Sequence, residues 1–284
     1  MLARVAITDA IIPVAGLGTR LLPATRSQPT EMLPVLDKPV VQYVVEELVQ
    51  SGISRVLFVT GRRKRAIEDH FDADPELGST PLIDPRAGLE ILYTRQPTPA
   101  GLGDAISYGA GLAAPGGVVV ALGDAIIESP RAPGVTRRLI DVFEAELPCA
   151  VVAVQEVAGE ELSRYGVIDC RQRPDGLLEV RRVVEKPDPR SAPSRWAVAA
   201  RYVLAPKVIT ELSSTAADET GEVQVADALN ALLARGERIL AVPLAAGENR
   251  HDIGTIDAYV TTFVHYALRD PHLAPQVRAL LADA

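Results

Sequence analysis

The stretch AITDAIIPVAGLGTR, residues 6–20, joins an apolar run to a glycine loop. Ala6 to Val14 predicts a first strand. Val14-Ala15-Gly16-Leu17-Gly18-Thr19-Arg20 follows it, with a helix expected beyond. Glycines there let backbone N–H groups approach a phosphate, and a helix N-terminus adds a favourable dipole. A dinucleotide-binding loop needs a third glycine and an acidic residue ending the second strand. Here Leu21 follows Arg20 and the second strand ends in Thr60. A Walker-type loop needs Gly-Lys-Ser/Thr, whereas Lys38, Lys64, Lys186 and Lys207 follow Asp, Arg, Glu and Pro. What remains is a Gly-x-Gly-Thr-Arg loop whose arginine offers a fixed fork of donors to a triphosphate.

Outward from the loop, short β-branched runs alternate with longer helical periods, a pattern that predicts an α/β fold with a largely parallel sheet. Pro39 to Ser51 reads as an amphipathic helix stopped near Gly52, Arg55 to Thr60 as a strand, and Lys64 to Phe71 as a short helix. Leu89 to Tyr93 is a strand, Leu102 to Leu112 a helix, and Val118 to Leu122 an apolar strand ending at Gly123-Asp124. A second block has strand-like runs at 149–154, 165–170, 178–184 and 197–204. A helix over 222–235, a late strand over 239–244 and a helical tail broken at Asp270-Pro271 complete the chain. Without a linker or repeat, the economical division is a catalytic domain over 1–255 and a C-terminal helical segment over 256–284.

The 284 residues carry a net charge of -8, with 48% hydrophobic and 23% charged residues, as in a globular enzyme with a sizeable core. An acidic balance with no basic block argues against nucleic acid as a partner. The two cysteines, Cys149 and Cys170, exclude a disulfide framework and read as buried thiols. Asp9 interrupts the first apolar run, so no signal peptide is expected. No run of about 18 uncharged apolar residues exists to span a membrane. A reducing cytoplasm is the simplest compartment.

AGLGTRLLPATRSQPTEMLPVLDKP (Ala15–Pro39) resembles the signature of bacterial sugar-1-phosphate nucleotidylyltransferases, above all the UTP–glucose-1-phosphate uridylyltransferases. The similarity continues in order through GRRKRAIEDHFD (Gly61–Asp72), QPTPAGLGDAI (Gln96–Ile106), LGD (Leu122–Asp124) and RYGVID (Arg164–Asp169). It runs on through VEKP (Val184–Pro187), ARYVL (Ala200–Leu204), GEVQVADAL (Gly221–Leu229) and RHDIGTIDAYV (Arg250–Val260). The resemblance implies a Rossmann-like nucleotidyltransferase fold, with a mixed, mostly parallel central sheet flanked by helices. It also implies Mg²⁺ as cofactor, an NTP and a sugar-1-phosphate as substrates, and a homo-oligomer. In that reaction a sugar-phosphate oxygen attacks the α-phosphorus and pyrophosphate leaves, so positioning and charge neutralisation supply the catalysis.

Asp124, ending an apolar strand, is a natural metal ligand, and the resemblance supplies Asp252 as the second. By the same resemblance Arg20, Asp124 and Lys186 carry catalysis. Ala15, Gly16, Gly18, Thr19, Arg20, Gln96 and Gly101 would bind the nucleotide; Gly123, Gly166, Glu185 and Lys186 would bind the sugar phosphate. His70 and His251 read as structural.

The family signature has lysine where Thr30 stands, and losing such a contact costs about 2.7–4 kcal/mol; Arg26 and Lys38 are the neighbouring cations available to replace it. Ala200 stands where glycine is frequent, Asp104 where histidine is usual, and the stretch between Phe71 and Leu89 is short. Three readings follow: a UDP-glucose-forming enzyme, the same reaction on another nucleotide or sugar, and a binding homologue with weakened turnover.

Overall fold

A computed structural model describes residues 6–72, 76, 88–112 and 116–282. The first half comprises β1 (Asp9–Pro13), β2 (Pro34–Val35), β3 (Lys38–Pro39), α1 (Val40–Gln50), β4 (Arg55–Thr60), α2 (Arg65–Phe71), β5 (Glu90–Arg95), α3 (Gly101–Ser107), β6 (Val118–Ala121) and β7 (Ala125–Glu128). The second comprises α4 (Val135–Glu146), β8 (Ala150–Glu156), β9 (Gly166–Gln172), β10 (Leu178–Glu185), β11 (Trp196–Leu204), α5 (Pro206–Ser214), α6 (Val225–Ala234), β12 (Ile239–Pro243), β13 (Asn249–Asp252), α7 (Ile256–Ala267) and α8 (Ala274–Ala282).

Among the described residues nine strands form one sheet in the order β5-β4-β1-β6-β11-β8-β12-β10-β9. Its first four strands are parallel, as is the β8–β12 pair. β11 runs antiparallel to both β6 and β8, and β9, β10 and β12 pair antiparallel. The sheet is therefore mixed, as expected, but not mostly parallel: its neighbour pairings divide equally, four parallel and four antiparallel, with the parallel ones concentrated in one half. The reason is local: β9 and β10 are joined by the short turn Arg173-Pro-Asp-Gly-Leu177, and so short a connection permits only a hairpin.

Alternate residues of the strands enter opposite layers. Ile11, Val120 and Val152 join one apolar cluster with side chains of α3, α5 and α6. Ile12, Val119 and Val151 join another with Val41, Val44 and Leu48 of α1 and Leu139 and Phe143 of α4. A smaller cluster around Leu21, Val35, Val40, Ile126 and Ile253 receives Tyr259 and Tyr266 of α7.

One charged side chain crosses these layers. Arg201 of β11 is fully buried, and its Nη2 donates to Glu47 Oε2 of α1 at 2.6 Å and to the Ala125 carbonyl at 3.0 Å. Its Nη1 donates to the Ala200 carbonyl at 3.0 Å, and Glu47 Oε1 also accepts from Thr136 Oγ1 at 2.5 Å. All the guanidinium's neighbours are thus fixed around one point between α1, β7 and β11.

Most predicted elements are present within a residue or two, but β1 starts only at Asp9, α3 ends at Ser107 rather than Leu112, and α6 starts at Val225 rather than Glu222. One larger exception follows from chemistry. The helix expected after Gly18 is replaced by 3₁₀ turns at Thr19–Leu21, Ala24–Arg26 and Thr30–Met32, because Pro23, Pro29 and Pro34 interrupt any longer helix. The helix dipole expected behind the glycine loop is therefore absent. Most of the stretch between Phe71 and Leu89, and Met1 to Val5, lie outside the described residues. Cys149 is buried, and burial pushes its thiol up to about 11; Cys170 is only half-buried because it sits near the end of the outer strand β9. Both are free, and no helix among the described residues is long and apolar enough to cross a membrane.

Removing Glu47 leaves Arg201 buried without its counter-charge. Glu47→Ala is expected to lower stability by about 3–5 kcal/mol, measured by urea unfolding. A loss under about 1 kcal/mol would mean that water reaches the guanidinium.

Candidate active site

The carboxyl ends of adjacent strands open onto a cavity of about 740 Å³, the usual position for ligands in an open α/β sheet. Ala15 follows β1, Gly61 follows β4 and Gln96 follows β5. Val14 N donates to Val59 O and Gln96 N to Thr60 O, so sheet pairing continues into these loops. A Cβ at Gly61 would stand 2.8 Å from the Ala15 carbonyl oxygen, so glycine is required there. Gly18 has φ 64°, and its Cβ would meet Thr30 Oγ1 at 2.6 Å.

Of the residues singled out in the sequence, Ala15, Gly16, Gly18, Thr19, Arg20, Gln96, Gly101, Asp124, Gly166, Glu185, Lys186 and Asp252 all line this cavity. Gly123 does not. It is buried under β1, where a Cβ would lie 2.6 Å from Val14 Cγ1, so its smallness serves packing.

The two aspartates meet through the β7–β13 ribbon. Asp252 ends β13 opposite Ala125, and Ile253 N donates to the Asp124 carbonyl at 3.0 Å. Burial, together with the facing Asp252 carboxylate, pushes the Asp124 carboxyl above its ordinary range; Arg20 and Lys64 oppose the shift. A Cβ at Gly254 would stand 2.8 Å from Asp252 Oδ1 and 3.1 Å from Arg20 Nη2, so this glycine makes room for the arginine beside the carboxylate. Two converging carboxylates that repel each other form an oxygen-only donor set suited to a hard divalent cation.

Glu185 and Lys186 leave the end of β10. Glu185 pairs with Gly166 across the hairpin, where a Cβ at Gly166 would press within 3.2 Å of Glu185 Oε2. Lys186 N donates to the Tyr165 carbonyl, and its Nζ lies 3.4 Å from Glu185 Oε1. Asn230 of α6 holds β10 from behind, accepting from Val183 N at 2.9 Å and donating to Val183 O at 2.7 Å.

Thr30 is buried, and among the described residues its hydroxyl has no partner. Neither neighbouring cation reaches the cavity in its place. Lys38 pairs with Glu46 at 2.8 Å, and Arg26 is absent from the lining. Lys64 is buried and held to Glu31 at 2.7 Å. Among the described residues, the cations on the cavity wall are Arg20, Arg164, Lys186 and Arg250.

Arg164 and Arg250 are not singled out by the sequence reading. Arg164 Nη2 lies 3.9 Å from Asp252 Oδ2, while Arg250 stacks 3.9 Å over Tyr165 and donates to Val198 O at 2.7 Å. Strand alternation sets Arg250 and Asp252 on one face of β13, but this four-residue strand shows no periodicity in the sequence that would have announced it. His251 faces the other side, where Glu128, His251 and His265 have ligand atoms within 4.8 Å of one another. There Arg269 lies 3.5 Å from Glu128 Oε1, and its Nη1 is 3.2 Å from His265 Nε2, so a guanidinium already supplies the positive charge. His70, on α2, contacts Gln42 Oε1 at 3.1 Å.

Ala200 lines the cavity within a β-bulge of β11, at φ 58°. A non-glycine residue in that conformation is strained by about 1–2 kcal/mol, and its methyl narrows the wall.

The nucleotidyl transferase family model matches residues 9–268. The chain is 40% identical over 286 residues to a UTP–glucose-1-phosphate uridylyltransferase of Staphylococcus epidermidis, covering 97% of each chain. It is 39% identical over 282 residues to the enzyme of that name from Bacillus subtilis strain 168, covering 95% of this chain and 94% of the relative. A solved UDP-glucose pyrophosphorylase complexed with UDP-glucose is similar at TM-score 0.84 and 36% identity, over 93% of this chain and 100% of that one. A UTP-bound pyrophosphorylase from Acinetobacter baumannii is similar at TM-score 0.86 and 30% identity, over 97% and 99% of the two chains.

Because Asp124 titrates above the ordinary aspartate value, the folded protein binds a proton that the unfolded chain has released. Stability is then lost as pH rises from about 4 through the raised value. In chelator, Asp124→Asn is expected to be more stable than the parent at pH 7, with the difference vanishing below about pH 4. Thermal melts across pH 4–8 check this, and Mg²⁺ should stabilise the parent but not the variant.

Proposed function

The chain belongs to the nucleotidyl transferase family, and we propose that it transfers a uridylyl group from UTP to glucose-1-phosphate, giving UDP-glucose and pyrophosphate. The observation that carries this reading is the convergence of Asp124, Asp252, Arg20 and Lys186 on one cavity, with Ala15, Gly16, Gln96 and Gly101 on its wall at the β1 and β5 ends. The names of the similar enzymes support the choice of substrates.

In this reading the base lies against the Ala15-Gly16 backbone, Gln96 and Gly101. Arg20, with Thr19 and the Gly18 backbone, takes the triphosphate. Lys186 holds the sugar phosphate so that its oxygen faces the α-phosphorus in line with the departing pyrophosphate. Glu185 accepts from sugar hydroxyls beside Gly166, and Ala200 limits the space on that wall. Asp124 and Asp252 would hold Mg²⁺, which supplies charge neutralisation on the reacting phosphates when bound. No covalent enzyme intermediate is required, and the residues act by placing two anions against each other and compensating their charge.

We further assign residues 1–255 to the catalytic unit and 256–284 to a helical appendage working in a cytoplasmic setting. Ile256 and Val260 of α7 and Leu280 and Leu281 of α8 are exposed apolar side chains, which a homo-oligomer would cover. Light scattering should give a mass above 30.3 kDa, falling to that of the monomer in Val260→Asp; a monomeric parent would overturn this assignment.

Pyrophosphate release with Mg²⁺, measured across nucleoside triphosphates and sugar-1-phosphates, should be greatest for UTP with glucose-1-phosphate. Another productive pair would transfer the reading to that pair, and silence with intact nucleotide binding would leave a binding homologue. Lys186→Ala and Asp252→Asn should each reduce the rate by about a hundredfold or more. Since neither Arg26 nor Lys38 reaches the cavity, Thr30→Lys should raise turnover at least about tenfold.

A further inference from the structure

Gln96 is 3% exposed and lines the cavity directly after β5. Its side-chain amide is fixed from behind. Nε2 donates to Asp104 Oδ2 at 2.6 Å and to the Gly101 carbonyl at 3.3 Å. Both partners are acceptors, so turning the amide over would lose two hydrogen bonds and set Oε1 against a carboxylate oxygen. Among the described residues no donor reaches Oε1, which is also not sealed away as a buried orphan.

The frame behind Asp104 is rigid. Gly101 has φ 92°, and a Cβ on it would stand 2.8 Å from Val223 N. Gly103 N donates to the Val223 carbonyl at 2.9 Å, Val223 N donates to the Ala100 carbonyl at 2.8 Å, and Ser107 Oγ donates to the Asp104 carbonyl at 2.7 Å. The turn carrying Asp104 is therefore bolted to the segment before α6.

We propose that Asp104 is a positioning residue that holds the Gln96 amide with its oxygen toward the ligand, so that the site selects a base with a ring imide N–H, the uracil class, over cytosine. The inference rests on the nucleotide reading given above. An acceptor meets the N3–H of uracil as a partner, whereas cytosine presents a lone pair at N3 and leaves two acceptors opposed. A carboxylate can only accept, so it imposes one amide orientation; an asparagine in its place can donate to Gln96 Oε1 and let the amide turn.

The test is calorimetric titration of UTP and CTP, with Mg²⁺, into the parent and into Asp104→Asn, Asp104→Ala and Asp104→Glu, with melting curves to verify folding. The parent should bind UTP at least about tenfold more tightly than CTP, roughly one hydrogen bond's worth. Asn and Ala should collapse that ratio, while Glu, which still accepts, should keep it. If Asn does not fold, the Ala variant is read in its place. A parent with no preference, a parent that binds neither nucleotide, or variants that weaken both nucleotides equally would overturn the inference and leave Asp104 as part of a helix turn. A parent that binds UTP over CTP yet releases no pyrophosphate with any sugar phosphate would instead overturn the functional reading alone.

Discussion

A single guanidinium between helix and sheet sets the terms for the rest of the molecule. Arg201 is sealed from water, and its charge is tolerable only because Glu47, Ala125 and Ala200 supply acceptors around it. Each acceptor belongs to a part that the cavity needs. Glu47 fixes α1 under the sheet, Ala125 is the residue after Asp124, and Ala200 forms the bulge in the cavity wall. Packing alone would leave these parts free to slide by fractions of an ångström; a desolvated charge with directed donors does not.

From that point the site divides along the seam between β6 and β11. On one side the parallel strands deliver loops whose backbones approach closely, with Gly18 and Gly61 making the approach possible. On the other side the antiparallel hairpin β9–β10 carries Glu185 and Lys186 outward, pinned by Asn230. The β7–β13 ribbon bridges the seam and brings Asp252 beside Asp124. The difference in pairing matches a difference in what each half offers a ligand. The parallel half presents backbone, and the antiparallel half presents projecting side chains.

Much of this is legible in the sequence, and the misses have physical causes. Arg55–Thr60 is legible to the residue because its buried centre, Val56–Val59, is an unbroken apolar run bounded by Arg and Thr. The ribbon strands Ala125–Glu128 and Asn249–Asp252 escape detection, since four residues carry too little periodicity and Asn-Arg-His-Asp has no apolar face. α4 (Val135–Glu146) escapes as well, its apolar positions being diluted by Arg, Asp and Glu. The loop motif announces itself, but the prolines beside it outweigh the pattern that suggests a helix. Glu47 with Arg201 and Asp104 with Gln96 are pairings that only the fold brings together. They lie 154 and 8 residues apart in the chain. Arg201 stands among apolar residues of a strand, where nothing local announces an ion pair.

The order of the strands also has a consequence in time. β1, β4, β5 and β6 are consecutive neighbours drawn from the first 121 residues, whereas their seam partner β11 begins at residue 196 and the closing ribbon strand at 249. A chain emerging from its N-terminus can build the glycine loop and its sheet early. It must then carry Glu47 without its arginine until Arg201 arrives, and Asp124 without its neighbour until Asp252 does. The two aspartates therefore meet only once the ribbon strand is in place, and a chain cut short before it lacks the completed site.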